Sequence, residues 1–253
     1  MFQLGTHKLG VDNEHLTIKL LNRLEIYPDV VIHLGGTQNK ADAIAGDKKI
    51  SIKHKKSLAS GSFDWFNTSK HNAILGDTFD NFIANTKELR TMPKSITTES
   101  QFVLKIRDNF NELCEQSLDS LTSTQINEIL ECGLKQGNDG YDIIINDTES
   151  CNLYKFEIEQ HPAVKYIKLG YTPLLVGSGK SSRKIVFKDD NGNIHDNTGL
   201  RLRVTNNNGI NAFLGNSKAN KNSQVVMKLQ QDGIKNLVDT TKAQKIGYEV
   251  DSL

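Results

Sequence analysis

Apolar residues first fall at helical spacing. Val11, Ile18 and Leu21 predict a helix over residues 12–24, with Asp12 or Asn13 as its cap. An apolar run at 29–34 predicts a strand. Apolar and polar positions then alternate through Ala41 and Ala43, and again through Ile50 and Ile52, on either side of Gly46-Asp47. Such alternation around a Gly-Asp pair predicts a β-hairpin. Between residues 62 and 136 the spacing is mainly helical. Phe79, Phe82 and Ile83 mark a helix within 70–89 that ends before Pro93. Phe102, Ile106, Phe110 and Leu113 mark a second, capped by Thr97, Thr98 or Ser100. Ile126, Ile129, Leu130 and Leu134 mark a third, stopped by Gly137.

From Tyr141 onward the pattern changes to short apolar or alternating runs, which predict strands at 141–146, 153–159, 164–168, 174–177, 184–188, 200–205 and 224–229. Asp190-Asn191-Gly192-Asn193 predicts a turn. Gly177-Ser178-Gly179-Lys180-Ser181 has Leu174 where a phosphate-binding loop needs glycine, and a strand pattern follows it, so it predicts a hairpin tip. Helix, strands, helices and more strands predict an α/β fold (mixed α+β), a mixed sheet flanked by helices, as a single domain over residues 1–253. Its parts are a helix and hairpin (1–60), a mainly helical stretch (62–136) and a mainly stranded one (141–253).

Composition narrows the class. The 253 residues suffice for one sizeable core. Lys and Arg number 31 against 30 Asp and Glu, so any polyanion-binding surface must be a local cluster of positive charge. No run approaches the roughly 18 apolar residues of a membrane helix, and the N-terminus lacks a signal-like apolar core. Cys114, Cys132 and Cys151 are odd in number and widely spaced, which predicts reduced thiols in a cytoplasmic protein. The seven histidines show no metal-ligand spacing.

Chemistry gathers on the hairpin. Closing it at Gly46-Asp47 pairs Ala45 with Lys48, Ala43 with Ile50 and Asp42 with Ser51. Ala41, Ala43, Ile50 and Ile52 then share one face, and Lys40, Asp42, Ser51 and Lys53 the other. Opposed Cβ atoms lie roughly 5 Å apart and diagonal ones about 7–8 Å, so Asp42 and Lys53 can share a phosphate-sized site. Lys48 and Lys49 line the turn, and His54, Lys55 and Lys56 extend the positive charge. Without further context this is also the pattern of an amphipathic hairpin with a solvated charged face.

Lys40-Ala41-Asp42 with Ile50-Ser51-Ile52-Lys53 resembles the PD-(D/E)XK nuclease motif, and the chain is similar to a type II restriction endonuclease. The resemblance implies a restriction-endonuclease-like mixed sheet between helices and a divalent metal, usually Mg²⁺. It implies that Asp42 and the backbone around Ile52 hold the metal and that Lys53 orients the attacking water. Ser51 departs from the pattern, standing where the family usually has Asp or Glu. One metal is then expected rather than two, and a second carboxylate must come from elsewhere. Family members often carry a glutamate on the first helix, which points to Glu14. That residue shares a face with Ile18 and Leu21, and a first-turn Glu complementing the helix dipole is its plainer explanation.

DNA contacts are expected from Lys55 and Lys56, and from Arg201 and Arg203 alternating on a strand. The following Asn-rich loop adds Asn206, Asn207, Asn208 and Asn211, with Lys218 and Lys221. Asn bonds adenine and Lys bonds guanine or phosphate, although Asn-rich loops also simply form turns. Phe63, Trp65, Asn67 and Lys70 are a further contact set, with Trp65 equally suited to a core. The function expected is Mg²⁺-dependent hydrolysis of double-stranded DNA at specific sites by a homodimer, with no membrane. The rival expectations are a homing or repair endonuclease on the same fold, and a non-catalytic DNA-binding protein on a decayed nuclease fold.

Overall fold

The computed structural model describes residues 6–34, 41–58, 63–67, 101–134, 140–177, 182–206, 223–229 and 231–249. The chain has mixed α and β content, as expected, and divides into two compact units. The first comprises residues 1–63, 135–165 and 231–253, and the second comprises 64–134 and 166–230.

The first unit begins with α1 (Thr6–Arg23). The helix starts six residues before the expected position, so Asp12 and Asn13 lie inside it and cap nothing. The Asn13 carbonyl instead accepts the Thr17 hydroxyl at 2.9 Å. The helix ends without glycine. Glu25 takes φ 49°, its N–H bonds the Asn22 carbonyl, and the Ile26 N–H bonds the Leu21 carbonyl, which satisfies two of the carbonyls of the last turn.

Six strands form the first sheet, in the order β1 (Val31–His33), β2 (Ala43–Ala45), β3 (Lys48–Lys55), β5 (Asp142–Asp147), β6 (Asn152–Glu157) and β12 (Gln244–Gly247). Only β3 and β5 run parallel; the other neighbours are antiparallel. Ile18 and Leu21 of α1 join Val31, Ala43, Ala45, Ile50, Ile52, Ile144 and Leu153 in one core cluster, which defines the α1 face of this sheet. The edge strand β1 is guarded, because the Asn22 side chain bonds both the N–H and the carbonyl of Val31 at 2.7 and 2.9 Å.

Two polar networks are buried on the α1 face. Asp142, 1 % exposed, accepts the Tyr27 hydroxyl at 2.8 Å and lies 3.0 and 3.3 Å from the Lys48 and Lys155 ammonium groups. Burial drives the Tyr27 hydroxyl's pKa up, and the charge of Asp142 adds to the rise. Asn146 bridges Thr17 of α1 and Tyr248 at 3.0 and 2.9 Å. After β6 a 3-10 turn (Ile158–Gln160) leads to α4 (Pro162–Lys168), where the sequence pattern predicts a strand. Pro162 opens that helix, and the His161 ring accepts the Ala163 N–H at 3.1 Å. The helix α5 (Gln231–Thr241) buries Ile234, Leu237 and Val238; neither it nor β12 is among the expected elements.

In the second unit, β4 (Phe63–Asn67), β11 (Ser223–Leu229), β10 (Leu200–Asn206), β8 (Ser182–Lys188) and β7 (Thr172–Val176) form a sheet in that order, with β9 (Ile194–His195) paired to β8. The helices α2 (Gln101–Asp119) and α3 (Ser123–Leu134) form where the apolar spacing predicts them, and α3 buries Ile126, Ile129, Leu130 and Leu134. The expected helix within 70–89, the caps at 97–100 and the stop at Gly137 lie outside the described residues. Arg183, almost fully buried, ties β8 to α2 through Glu115 and Asp119. No helix among the described residues is long and apolar enough to cross a membrane. The three cysteines are free thiols, and burial pushes that of Cys114 up to about 12.

Candidate active site and nucleic-acid contacts

Strand alternation puts the hairpin in its expected register: Ala45 opposes Lys48 and Ala43 opposes Ile50, across a turn where Gly46 takes φ 56°. Ala43, Ile50 and Ile52 are buried together in the α1 core cluster, as their shared face requires, and Ala41 is buried outside that cluster. The ladder changes at Asp42. Its N–H bonds the Ile50 carbonyl at 2.8 Å, so Asp42 and Ala43 both face Ile50, as in a β-bulge. Direct pairing of Asp42 with Ser51 is thereby replaced by a side-chain contact. The bulge turns the Asp42 carboxylate inward, where Oδ2 accepts the Ile52 N–H at 2.6 Å and the Ser51 hydroxyl at 3.2 Å.

The next residues of β3 continue past the end of β2. The β2 register stops at Ile50, whereas pairing with β5 runs on to Lys55 opposite Asp147. A residue in an extended strand points its N–H and carbonyl to the same side. The Ile52 carbonyl therefore points to the same side as the N–H held by Asp42. Ser51 is fully buried, and Lys53, two residues on, is half-buried on the same face. Lys40 lies outside the described residues.

Glu14 is not brought to this cluster. It lies in the third turn of α1, so it does not act on the helix dipole of the first turn, and its Oε2 is 3.0 Å from His33 Nε2. The His15 ring packs 4.3 Å from that of His33. His33 shares the α1 face with Val31 and Ala43, whereas Ser51 is on the opposite face. Among the described residues no group of three or more His, Cys, Asp and Glu side chains is arranged to hold a metal. The Asp42 carboxylate and the Ile52 carbonyl are on the same side of β3, and both are oxygen donors of the kind that Mg²⁺ takes.

The basic end of β3 is held from behind by the β5–β6 turn. Lys55 is half-buried and Lys56 exposed, and their carbonyls accept the Thr148 and Glu149 N–H groups at 3.0 and 2.7 Å. His54 faces the α1 side beside Asn146, where burial and then the charge of Lys55 lower its pKa. Arg201, half-buried, and Arg203, exposed, stand on β10 in the second unit, which Asn206 ends opposite Ser223. Asn207, Asn208, Asn211, Lys218, Lys221 and Lys70 lie outside the described residues, and Trp65 sits in β4. Sequence reasoning misses Asp147, a buried carboxylate whose only signal is an acidic residue closing an apolar strand before Thr148-Glu149-Ser150. No protein-family model, no curated protein and no solved structure matches this chain.

Proposed function

We propose that the chain is a Mg²⁺-dependent endonuclease that cuts double-stranded DNA at specific sites, of the restriction type, working as a homodimer in the cytoplasm. The observation that carries this reading is the bulge at Asp42. It aims one carboxylate at the point where β3 leaves β2, onto the Ile52 N–H and the Ser51 hydroxyl, and Lys53 follows Ser51 on the same face of β3. Asp42 and the Ile52 carbonyl would hold the metal. When bound, it supplies an acidified water and neutralises charge on the scissile phosphate. Ser51 and the Ile52 N–H fix the carboxylate's direction. Lys53 orients the water and offsets the charge that develops on the phosphate, while Lys55 and Lys56 draw in the backbone.

A second reading is a DNA-binding protein without catalysis. It is favoured by Ser51, which brings no charge, and by Glu14, whose carboxylate is engaged by His33. Plasmid DNA incubated with the protein and Mg²⁺ separates the two. Discrete, frequent fragments from the wild type, absent for Lys53→Ala, support the endonuclease. Metal-independent binding without cutting supports the second reading, and rare or damage-directed cuts point to a homing or repair enzyme.

A further inference from the structure

The segment that carries Lys55 and Lys56 extends beyond its β2 neighbour, yet its backbone is held at three successive points. Thr148 donates both its N–H and its hydroxyl to the Lys55 carbonyl, at 3.0 and 3.1 Å. The Glu149 N–H bonds the Lys56 carbonyl at 2.7 Å. The Leu58 N–H bonds Asp147 Oδ2 at 3.3 Å. Asp147 is only 4 % exposed, and its other oxygen accepts the Ser150 N–H, which closes the turn. Cys151 takes φ 51° to complete that turn, and its carbonyl accepts the Tyr248 N–H at 2.9 Å. A buried carboxylate used on two backbone donors fixes geometry rather than balancing surface charge.

We propose that Asp147 and Thr148 are positioning residues for DNA binding: they hold the strand end so that Lys55 and Lys56 meet phosphates from a backbone already ordered. The inference rests on the DNA reading above. A loose Lys-Lys segment would give up its conformational freedom on binding, whereas a clamped one has given it up in folding. Lys53, opposite Ile145, and Lys55, opposite Asp147, stand on the same face of β3.

The test is binding of a labelled mixed-sequence duplex by the full chain, with Ca²⁺ replacing Mg²⁺ to block cutting, between about 50 and about 200 mM salt. Thr148→Val should weaken binding about tenfold and flatten the plot of log K against log salt by about 0.9 for each phosphate that is no longer neutralised. Thr148→Ser keeps the donor and should match the wild type. Asp147→Asn should follow Thr148→Val. In a Lys55→Ala/Lys56→Ala background Thr148→Val should change nothing further, because the groups it positions are gone. A role in stability alone would lower the unfolding midpoint and leave the salt slope intact. Wild-type affinity and slope in folded Thr148→Val overturn the positioning role while the DNA reading stands. A wild type that shows no salt-dependent binding overturns both.

Discussion

Asp42 spends one oxygen on two donors, and this is how a residue between a bulge and a strand end keeps a fixed direction. Four residues later Gly46 does a different job. It takes φ 56°, and a Cβ there would collide with the Asp29 carboxylate. Left-handed backbone alone costs a non-glycine residue about 1–2 kcal/mol. Gly46→Ala should therefore destabilise the chain by about 2 kcal/mol in denaturant unfolding, and Asp29→Ala should recover the steric part only. An unchanged midpoint would contradict this. At His161, burial and then Lys165 lower the ring's pKa from 6.5 to about 3. Its Nδ1 accepts the Ala163 N–H, which requires the neutral ring. Because the folded pKa lies below the unfolded one, this contribution is complete above about pH 6.5 and drains as pH falls toward 3. The limit is about 1.4 kcal/mol per pH unit, so the wild type should lose about 2 kcal/mol between pH 7 and pH 5 that His161→Gln does not lose. Parallel urea curves for the two proteins at both pH values check this.

Elements with a clear period are legible in sequence, and those decided by ends or by context are not. The hairpin register follows from strict alternation about Gly46-Asp47, and α3 from Ile126, Ile129, Leu130 and Leu134. Residues 164–168 are too few for periodicity to separate helix from strand, and Pro162 at the first helical position decides for helix. The start of α1 is misplaced in sequence because Asp12 and Asn13 look like caps while sitting within the helix. Ile234, Leu237 and Val238 do show helical spacing, so the sequence does hold a signal for α5. At the site, counting residues places Ser51 and Lys53 on one face of β3 but does not place Asp42. The bulge cannot be read by counting, since it depends on backbone bonding rather than residue type. Where a cap does bind, its worth can be measured. Thr122, just before α3, and Gln125 in its first turn bond reciprocally, at 3.2 Å from the Gln125 N–H and 3.0 Å from the Thr122 N–H. Thr122→Ala should cost about 1 kcal/mol in urea unfolding, and Thr122→Ser much less.

At the scale of the molecule, the first unit is assembled from three stretches of chain, and its last strand, β12, comes from residues beyond 230. A chain ending at residue 230 would lack both β12 and α5, leaving β6 as an open edge. Amide exchange in β5 and β6 should rise sharply in that truncated chain, and protection equal to the full chain would contradict the assembly described. Net charge is close to zero, so the proposed attraction to DNA would have to come from local patches such as the end of β3 and should fall steeply with salt. The central claim is that the Asp42 carboxylate serves metal-dependent DNA cleavage, and the most direct test is the rate at which supercoiled plasmid is cut in Mg²⁺ by the wild type and by Asp42→Asn. The amide oxygen can still accept the Ile52 N–H, so the hairpin is kept while the charge is removed. The account predicts cutting by the wild type that EDTA abolishes, and a loss of about a hundredfold or more in the variant. Equal rates for the two proteins, or no cutting by the wild type, would contradict it.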